Sequence, residues 1–132
     1  MTFSLDQFHL TTKVAVVTGA GGRGNSIGRA YALGLARAGA AVVVADLNAD
    51  GAQRVCDEIL STGGKAIAVG VDITQPDSVA KMAKAAVDAF GGVDILVNNA
   101  ALMVELGRLN AADIELETWN RIINVNLTGA LL

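Results

Sequence analysis

Glycine is concentrated in one short segment of the chain, TGAGGRGNSIG at residues 18–28. Because glycine has no Cβ, such a segment can turn tightly and bring its backbone N–H groups close to a pyrophosphate, which the N-terminus of a following helix also attracts. Gly19, Gly21 and Gly24 spell GxGxxG, the spacing found in dinucleotide-binding loops. That spacing is weak evidence in a segment so rich in glycine, but the chemistry it indicates is phosphate binding by main-chain amides.

The same segment supports two other interpretations. Residues 19–26 nearly match the P-loop pattern GxxxxGK[ST], which would make the protein a nucleoside triphosphatase, but Asn25 occupies the lysine position. A neutral amide cannot supply the charge that a P-loop lysine places against the β- and γ-phosphates. The second alternative is a glycine-rich turn that binds no ligand, in which the conformational entropy cost of the glycines would be uncompensated.

An acidic residue at a suitable distance favours the dinucleotide. Asp46 lies 18 residues beyond Gly28, at the end of a β-branched run. Dinucleotide sites place a carboxylate roughly 20 residues past the glycine loop, where it accepts hydrogen bonds from the ribose hydroxyls. A carboxylate there repels the additional phosphate of NADP, so the sequence favours NAD. Arg23, within the loop, is the counter-evidence, because a guanidinium can pair with that phosphate.

Alternating strand and helix patterns must position these residues. Apolar runs rich in valine, alanine and isoleucine predict strands, at residues 13–18, 41–46, 65–72 and 93–98. Helical spacing and capping residues predict helices, at residues 26–38, from an Asn48 cap to about Thr62, from a Thr74 cap with Pro76 in the first turn to Phe90, and from about Thr118 to Leu132.

This alternation predicts an α/β fold, a doubly wound parallel sheet of the Rossmann type with strand order 3-2-1-4 and helices on both faces. The ligand crevice is expected where the strand order reverses, at the carboxyl ends of the first and fourth strands. Residues 1–12 form an N-terminal arm in this interpretation, and residues 13–132 form one dinucleotide-binding domain. We expect that domain to be truncated after the fourth strand and the following helix, because the helix stops at two leucines without a capping residue.

Composition and charge argue against several classes of partner. The 132 residues are 52% apolar and carry a net charge of -3, which gives no basic field for nucleic acid. The longest stretch without a charged side chain is the 11 residues 122–132, fewer than the roughly 20 that span a bilayer, and residues 1–10 do not resemble a secretion signal. We therefore expect a cytoplasmic protein without a membrane segment. Cys56 and His9 are the only cysteine and histidine, so neither a disulfide nor a metal site is expected.

Five features together resemble the short-chain dehydrogenase/reductase family over residues 13–132: TGAGGRGNSIG, Asp46, VDIT at 71–74, NNAA at 98–101 and NVNLTG at 124–129. The resemblance implies that the cofactor is NAD and that the following residues contact it: Gly19, Ser26 and Ile27 at the pyrophosphate and nicotinamide ribose, Asp46 and Leu47 at the adenine ribose, Asp72 and Ile73 at adenine, and Asn98, Ala100 and Val125 on the adenosine side.

The resemblance also implies that Asn126 is the family's catalytic asparagine, which is carried on a helix and holds a water in a proton relay. From the residues alone, other roles remain open. Asp72 fits a turn or capping role, and Asn98 and Asn126 fit ordinary hydrogen bonds with neighbouring backbone.

Three features depart from the family pattern. Ser26, in a lengthened loop, stands where a middle glycine is common, as in the enoyl reductase branch, whereas NNAA fits the main branch although Ala101 replaces its last glycine. The catalytic tyrosine, followed four residues later by a lysine, is also missing: the only tyrosine is Tyr31, and Leu35 lies at that distance. The resemblance implies that this tyrosine, its lysine and the catalytic serine lie beyond Leu132.

The implied activity is hydride transfer between NAD and an alcohol or ketone, such as a 3-oxoacyl, steroid or sugar-like substrate. The resemblance further implies a homo-oligomer, a tetramer or a dimer, with the helix that begins near Thr118 in the interface. A catalytically silent dinucleotide-binding module is the alternative from a different functional class, and a P-loop protein is the less favoured one.

Overall fold

The computed structural model describes residues 8–22, 24, 26–103 and 110–132. Within them, the strands of one sheet are β1 Val14–Thr18, β2 Ala41–Asp46, β3 Lys65–Gly70 and β4 Ile95–Val97. The α-helices are α1 Ile27–Arg37, α2 Ala49–Ser61, α3 Pro76–Phe90, α4 Leu116–Ile123 and α5 Gly129–Leu131. A short 3-10 helix, Ala111–Asp113, precedes α4, and a π-helical segment, Asn124–Thr128, joins α4 to α5.

The sheet has the strand order β3-β2-β1-β4 and each neighbouring pair is parallel, which confirms the doubly wound fold predicted from the sequence. β1 is central, with Val16 pairing with Val43 of β2 on one side and with Leu96 of β4 on the other. Because the strand order reverses between β1 and β4, the chain leaves these two strands toward opposite faces of the sheet. A crevice forms between them at their carboxyl ends.

The core is packed in two layers, one on each face of the sheet. β1 and β2 are runs of valine and alanine that are buried on both sides, as strands covered by helices on both faces are. Successive side chains of a strand point to opposite faces. Val17 therefore packs in the layer that contains Ile59 of α2, whereas Val16 packs in the layer that contains Met82 of α3. Packing in these two layers fixes the positions of the strands, and therefore the place where their carboxyl ends meet.

The segment between β3 and α3 differs from its prediction. β3 ends at Gly70, two residues before the predicted end, and the residue that caps α3 is Gln75 rather than Thr74. The cause is a turn closed by Asp72, whose Oδ1 accepts hydrogen bonds from Thr74 N at 2.9 Å and from Thr74 Oγ1 at 2.7 Å. The Thr74 hydroxyl is therefore engaged before the helix begins. The predicted Asn48 cap is confirmed, since its Oδ1 accepts from the N–H of the third residue of α2.

The bounds of β4 and of the last helix also differ from their predictions. β4 covers Ile95–Val97 of the predicted 93–98, because the Val14 N–H that would extend its ladder donates to the Asp94 side chain instead. The last helix begins at Leu116, two residues before the predicted start. Among the described residues, none of the helices combines the length and the apolar character that crossing a bilayer requires.

Thr12 carries backbone strain just before β1. Its φ is 75°, and it is the only residue other than glycine with a positive φ in the described part of the chain. This conformation costs an L-residue about 1–2 kcal/mol, and β-branched residues adopt it rarely. We expect Thr12→Gly to raise the free energy of unfolding, measured by urea titration, by about 1 kcal/mol. The control Thr11→Gly should lower it, and a loss of stability in both variants would contradict strain at Thr12.

Asp94 ties the start of β4 to the start of β1. Its Oδ2 accepts a hydrogen bond from the Val14 backbone N–H at 2.8 Å, and its Oδ1 accepts one from Lys13 Nζ at 3.1 Å. The backbone hydrogen bond first, and then the lysine, hold the pKa of the Asp94 carboxyl below its ordinary value. A carboxyl whose pKa is lower in the folded state stabilises the fold above its ordinary pKa, and that contribution disappears as the pH falls through the lowered pKa.

Asp94→Asn should therefore be less stable than the wild type at neutral pH, and the difference should shrink as the pH falls through the acid range of a carboxyl. Urea titrations of both proteins at a series of pH values measure this difference. A difference that stays constant or grows on acidification would show that the ionised carboxylate is not what joins the two strands.

Candidate functional site

A cleft of about 550 Å³ opens at the carboxyl ends of the strands, where the topology places the ligand crevice. Its volume lies in the range of small-molecule and cofactor sites, about 300–1,000 Å³. Many of the residues singled out from the sequence line it, namely Gly19, Asp46, Leu47, Asp72, Ile73, Ala100 and Val125. These residues come from loops and segments that are far apart in the chain, so the parallel sheet is what gathers them.

The glycine loop approaches the rest of the cleft so closely that side chains are excluded. Gly19 has a φ of +67°, and a Cβ built on it would lie 2.7 Å from the Ala100 Cα. A Cβ on Gly28, in the first turn of α1, would lie 2.2 Å from the Gly19 carbonyl oxygen. Both distances are shorter than real carbon contacts allow, so these two positions require glycine. The backbone itself forms this wall of the cleft, and its amides can reach a phosphate there.

Asp46 is held by the loop as well as by its strand. Its Oδ2 accepts a hydrogen bond from the Gly21 backbone N–H at 2.7 Å, and its Oδ1 accepts one from the Asn48 N–H at 2.8 Å. Charge-assisted hydrogen bonds of this kind fix the orientation of a carboxylate. Each oxygen of a carboxylate can accept more than one hydrogen bond, so both retain capacity for donors from a ligand in the cleft.

The sequence interpretation missed Thr18 and Asn99, which join the glycine loop to the end of β4. The Thr18 hydroxyl accepts hydrogen bonds from the N–H groups of Asn99 at 3.1 Å and Ala100 at 3.2 Å, and it donates to the Val97 carbonyl at 3.3 Å. Asn99 Nδ2 donates to the carbonyl oxygens of Thr18 at 2.9 Å and Gly19 at 3.1 Å. Polar residues at or just after the ends of two adjacent parallel strands are the sequence signal that could have identified this pair.

Asn98 has its side chain outside the cleft. Its Nδ2 donates to the Ala130 carbonyl oxygen at 3.2 Å, and it lines a separate, mainly apolar cavity of about 250 Å³ that α3 and α5 border. Neighbouring residues in an extended chain point to opposite sides, so Asn98 and Asn99 cannot both face the cleft. Of the two asparagines, Asn99 is the one that lines it.

Asp72 combines a structural role with a place in the cleft. Its Oδ1 closes the turn with Thr74, and its backbone N–H donates to Ser78 Oγ at 3.0 Å, near the start of α3. Ile73 lines both the cleft and the apolar cavity behind it, and it packs so closely on α5 that a Cβ on Gly129 would lie 2.8 Å from its Cδ1. The loop after β3 is therefore held by the hydrogen bonds of Asp72 on one side and by the packing of Ile73 on α5 on the other.

Asn126 pairs with backbone on the far side of the cleft. Its Oδ1 accepts a hydrogen bond from the Leu102 N–H at 2.8 Å, and its Nδ2 donates to the Leu102 carbonyl at 3.1 Å. It lies in the π-helical segment Asn124–Thr128, a distortion that occurs frequently at functional sites. The Asn126 amide thus fixes the chain after β4 against the π-helical segment, which also carries Val125 of the cleft wall.

The residues that begin α1 lie beside the lining of the cleft. Ser26 caps the helix, with its Oγ accepting from the Arg29 backbone N–H at 3.3 Å, and the Ile27 side chain is 69% exposed. Leu47 is 78% exposed although it lines the cleft. Exposed apolar side chains at the rim of a cleft can pack against a ring of a ligand. Arg23 lies outside the described residues.

Comparison with known proteins agrees with this architecture. A family model described as short chain dehydrogenase matches residues 13–132. Cyclohexanol dehydrogenase from Acinetobacter sp. (strain SE19) is 41% identical over 118 residues, which are 89% of this chain and 45% of that protein.

Two solved structures that contain NADH are also similar. A 7 alpha-hydroxysteroid dehydrogenase in complex with NADH and 7-oxo glycochenodeoxycholic acid matches 98% of this chain and 48% of its own, with a TM-score of 0.88 and 38% identity. The 3-ketoacyl-(acyl-carrier-protein) reductase from Brucella melitensis, complexed with NADH, matches 93% of this chain and 48% of its own, with a TM-score of 0.84 and 41% identity. The chain spans about half the length of the relatives it matches. It belongs to the short-chain dehydrogenase/reductase family.

Proposed function

We propose that the protein is an NAD(H)-dependent oxidoreductase that interconverts an alcohol and a ketone by hydride transfer. The observation that carries the proposal is the Asp46 carboxylate, oriented at the edge of the cleft by the Gly21 and Asn48 amides. Family membership and the NADH in two similar structures support a nicotinamide dinucleotide as the ligand. They also favour this function over that of a P-loop nucleoside triphosphatase.

In this proposal each wall of the cleft binds one part of the cofactor. The amides of the loop that begins at Gly19, with the start of α1 at Ser26 and Ile27, hold the pyrophosphate and the nicotinamide ribose. Asp46 accepts hydrogen bonds from the adenine ribose hydroxyls, and Leu47 packs beside them. The remaining residues proposed to border the adenosine are Asp72, Ile73, Ala100 and Val125, with Asn98 supporting the end of β4 from behind.

The preference for NAD over NADP follows from charge. A 2′-phosphate on the adenine ribose would approach the Asp46 carboxylate, and two negative charges at hydrogen-bond distance repel each other strongly in a partly desolvated cleft. The ribose hydroxyls of NAD instead donate to that carboxylate. Arg23 is the loop residue that could oppose this preference by pairing with a 2′-phosphate.

We propose that Asn126 acts at the reacting end of the same cleft. Its amide holds Leu102 through two hydrogen bonds, which leaves a second lone pair on Oδ1 for a water of a proton relay. Bound NAD would supply the hydride acceptor for an alcohol. The proton that the alcohol loses must pass to a base, which in this family is a tyrosine paired with a lysine.

Cyclic secondary alcohols, steroids and 3-oxoacyl compounds are the substrate classes that the names of the relatives suggest. We also propose a homo-oligomer, because Leu116 and Trp119 of α4 are 70% and 51% exposed and large apolar side chains of this kind mark contact surfaces. The tetrameric or dimeric state and a cytoplasmic location remain predictions.

The role of Asp46 can be tested by titrating the full-length protein with NADH and NADPH while following nicotinamide fluorescence. Asp46→Asn should weaken NADH binding about tenfold, because a neutral amide accepts weaker hydrogen bonds from the ribose hydroxyls. The same substitution should reduce the preference for NADH over NADPH, because it removes the charge that repels the 2′-phosphate. Asp50→Asn, in the first turn of α2 and outside the cleft lining, is the matched control and should bind NADH as the wild type does. Equal NADH affinity in all three proteins would refute the ribose contact.

A separate experiment distinguishes the enzyme from the catalytically silent module. The full-length protein is incubated with NAD and a panel of cyclohexanol, hydroxysteroid and 3-hydroxyacyl substrates, and NADH formation is followed by absorbance. We expect turnover of at least one class. NADH binding without turnover of any of them would favour the silent module, and binding of Mg-ATP instead of NADH would favour the P-loop alternative.

A further inference from the structure

An ion pair joins the two helices that flank the glycine loop. Arg29 of α1 donates from Nε to Glu58 Oε2 at 2.9 Å and from Nη2 to Glu58 Oε1 at 2.5 Å. The side chains are 29% and 37% exposed, so the pair is partly shielded from solvent. A guanidinium that pairs with a carboxylate through two parallel hydrogen bonds fixes direction as well as distance. The pair therefore restrains how α1 and α2 lie relative to each other.

On the α1 side, the pair connects directly to the loop. Arg29 is the residue whose backbone N–H is capped by Ser26 Oγ, at 3.3 Å. The glycine loop packs directly against that serine: the backbone of Gly22 lies so close that a Cβ on it would be 2.8 Å from Ser26 Oγ. A shift of Arg29 would therefore be passed through Ser26 to the loop backbone.

On the α2 side, the loop is held by close backbone contact. A Cβ on Gly51, in the first turn of α2, would lie 2.0 Å from the Gly21 carbonyl oxygen. Gly21 in turn donates its N–H to Asp46. The loop is thus attached to both helices, and its shape depends on their separation.

In the core, α1 and α2 pack together through Ala32 of α1 and through Val55 and Cys56 of α2, but side chains do not fill the space between them next to the loop. A groove of about 430 Å³ opens to solvent there, and Gly22, Gly24, Arg29 and Glu58 are among the residues that line it. A Cβ on Gly24 would meet no atom within 4 Å. Where an interior is well packed, neighbouring side chains fix the position of an element, but here the space is open. The ion pair is what spans it.

We propose that Arg29 and Glu58 are positioning residues that hold the glycine loop in the shape that binds a pyrophosphate. The inference rests on the proposed function, since it assumes that a dinucleotide occupies the cleft. Neither side chain lines the cleft, so the effect passes through the loop amides. Binding groups must be held within about 0.5 Å of their productive positions, and a loosened loop would lose that alignment. The loss should fall mainly on the pyrophosphate, because the Asn48 N–H still orients the Asp46 carboxylate at the ribose when the loop loosens.

The experiment compares two ligands that differ in the pyrophosphate. Calorimetry on the full-length protein measures the Kd of ADP-ribose and of adenosine for the wild type, Arg29→Gln, Glu58→Gln and the charge exchange Arg29→Glu with Glu58→Arg. We expect either single variant to weaken ADP-ribose binding about fivefold to tenfold and to leave adenosine binding within about twofold of the wild type. The charge exchange should regain most of the ADP-ribose affinity. Lys84→Gln, which breaks the ion pair with Asp88 on α3, is the control and should change neither Kd.

A merely structural ion pair gives a different result. Equal weakening of both ligands, or a lowered Tm with unchanged ADP-ribose affinity in the single variants, would overturn the positioning role. Failure of the charge exchange to restore ADP-ribose binding in a protein with wild-type Tm would also overturn it. A wild-type protein that binds neither ligand would instead refute the proposed function, and this inference with it.

Discussion

The hydrogen bond from the Gly21 N–H to the Asp46 carboxylate is the contact on which the rest of the site depends. It joins the glycine loop, which follows β1, to the end of β2, and it fixes the carboxylate at the edge of the cleft. The same negative charge that attracts the loop amide is what would accept the ribose hydroxyls and repel a 2′-phosphate. In the proposed function one side chain therefore sets both the shape of the loop and the preference between NAD and NADP, and a change at Asp46 should alter both.

Support for this contact comes from the neighbouring strand. Thr18 and Asn99 bind the end of β4 to the end of β1 through their side chains, which brings Ala100 against Gly19. The glycine loop is thus held on the β2 side by the Asp46 carboxylate, and on the β4 side by the Asn99 amide and the Thr18 hydroxyl. Since a parallel sheet with order β3-β2-β1-β4 places β1 between these two strands, the fold itself supplies both attachments.

Much of the fold follows from local patterns in the sequence. Valine-rich strands that alternate with helices admit few arrangements once crossovers are right-handed, so the sheet order could be predicted. The Asn48 cap was predictable because an asparagine side chain bonds to the N–H of a residue three positions later. The position of Asp46 in the cleft was predictable for a similar reason, since that position follows from its distance beyond the glycine loop and its place at the end of β2. Its contact with a ribose stays a prediction.

The features that escaped prediction depend on contacts between segments far apart in the chain or on competition for one side chain. Thr74 looked like a cap, but its hydroxyl is taken by Asp72. Which of Asn98 and Asn99 faces the cleft depends on where β4 ends, and strand ends are the least predictable part of a sequence pattern. The pairing of Asn126 with Leu102 arises only once the π-helical segment and the chain after β4 meet in three dimensions.

A crystal structure of the full-length protein with NADH bound is the most direct test of the central claim. That claim is that Asp46 binds the adenine ribose hydroxyls while it also holds the glycine loop. We expect one carboxylate oxygen of Asp46 within about 3 Å of a ribose hydroxyl, with the pyrophosphate against the amides of the glycine loop and the Gly21 hydrogen bond retained. An adenine ribose that lies away from Asp46, with the carboxylate bonded only to Gly21 and Asn48, would contradict it.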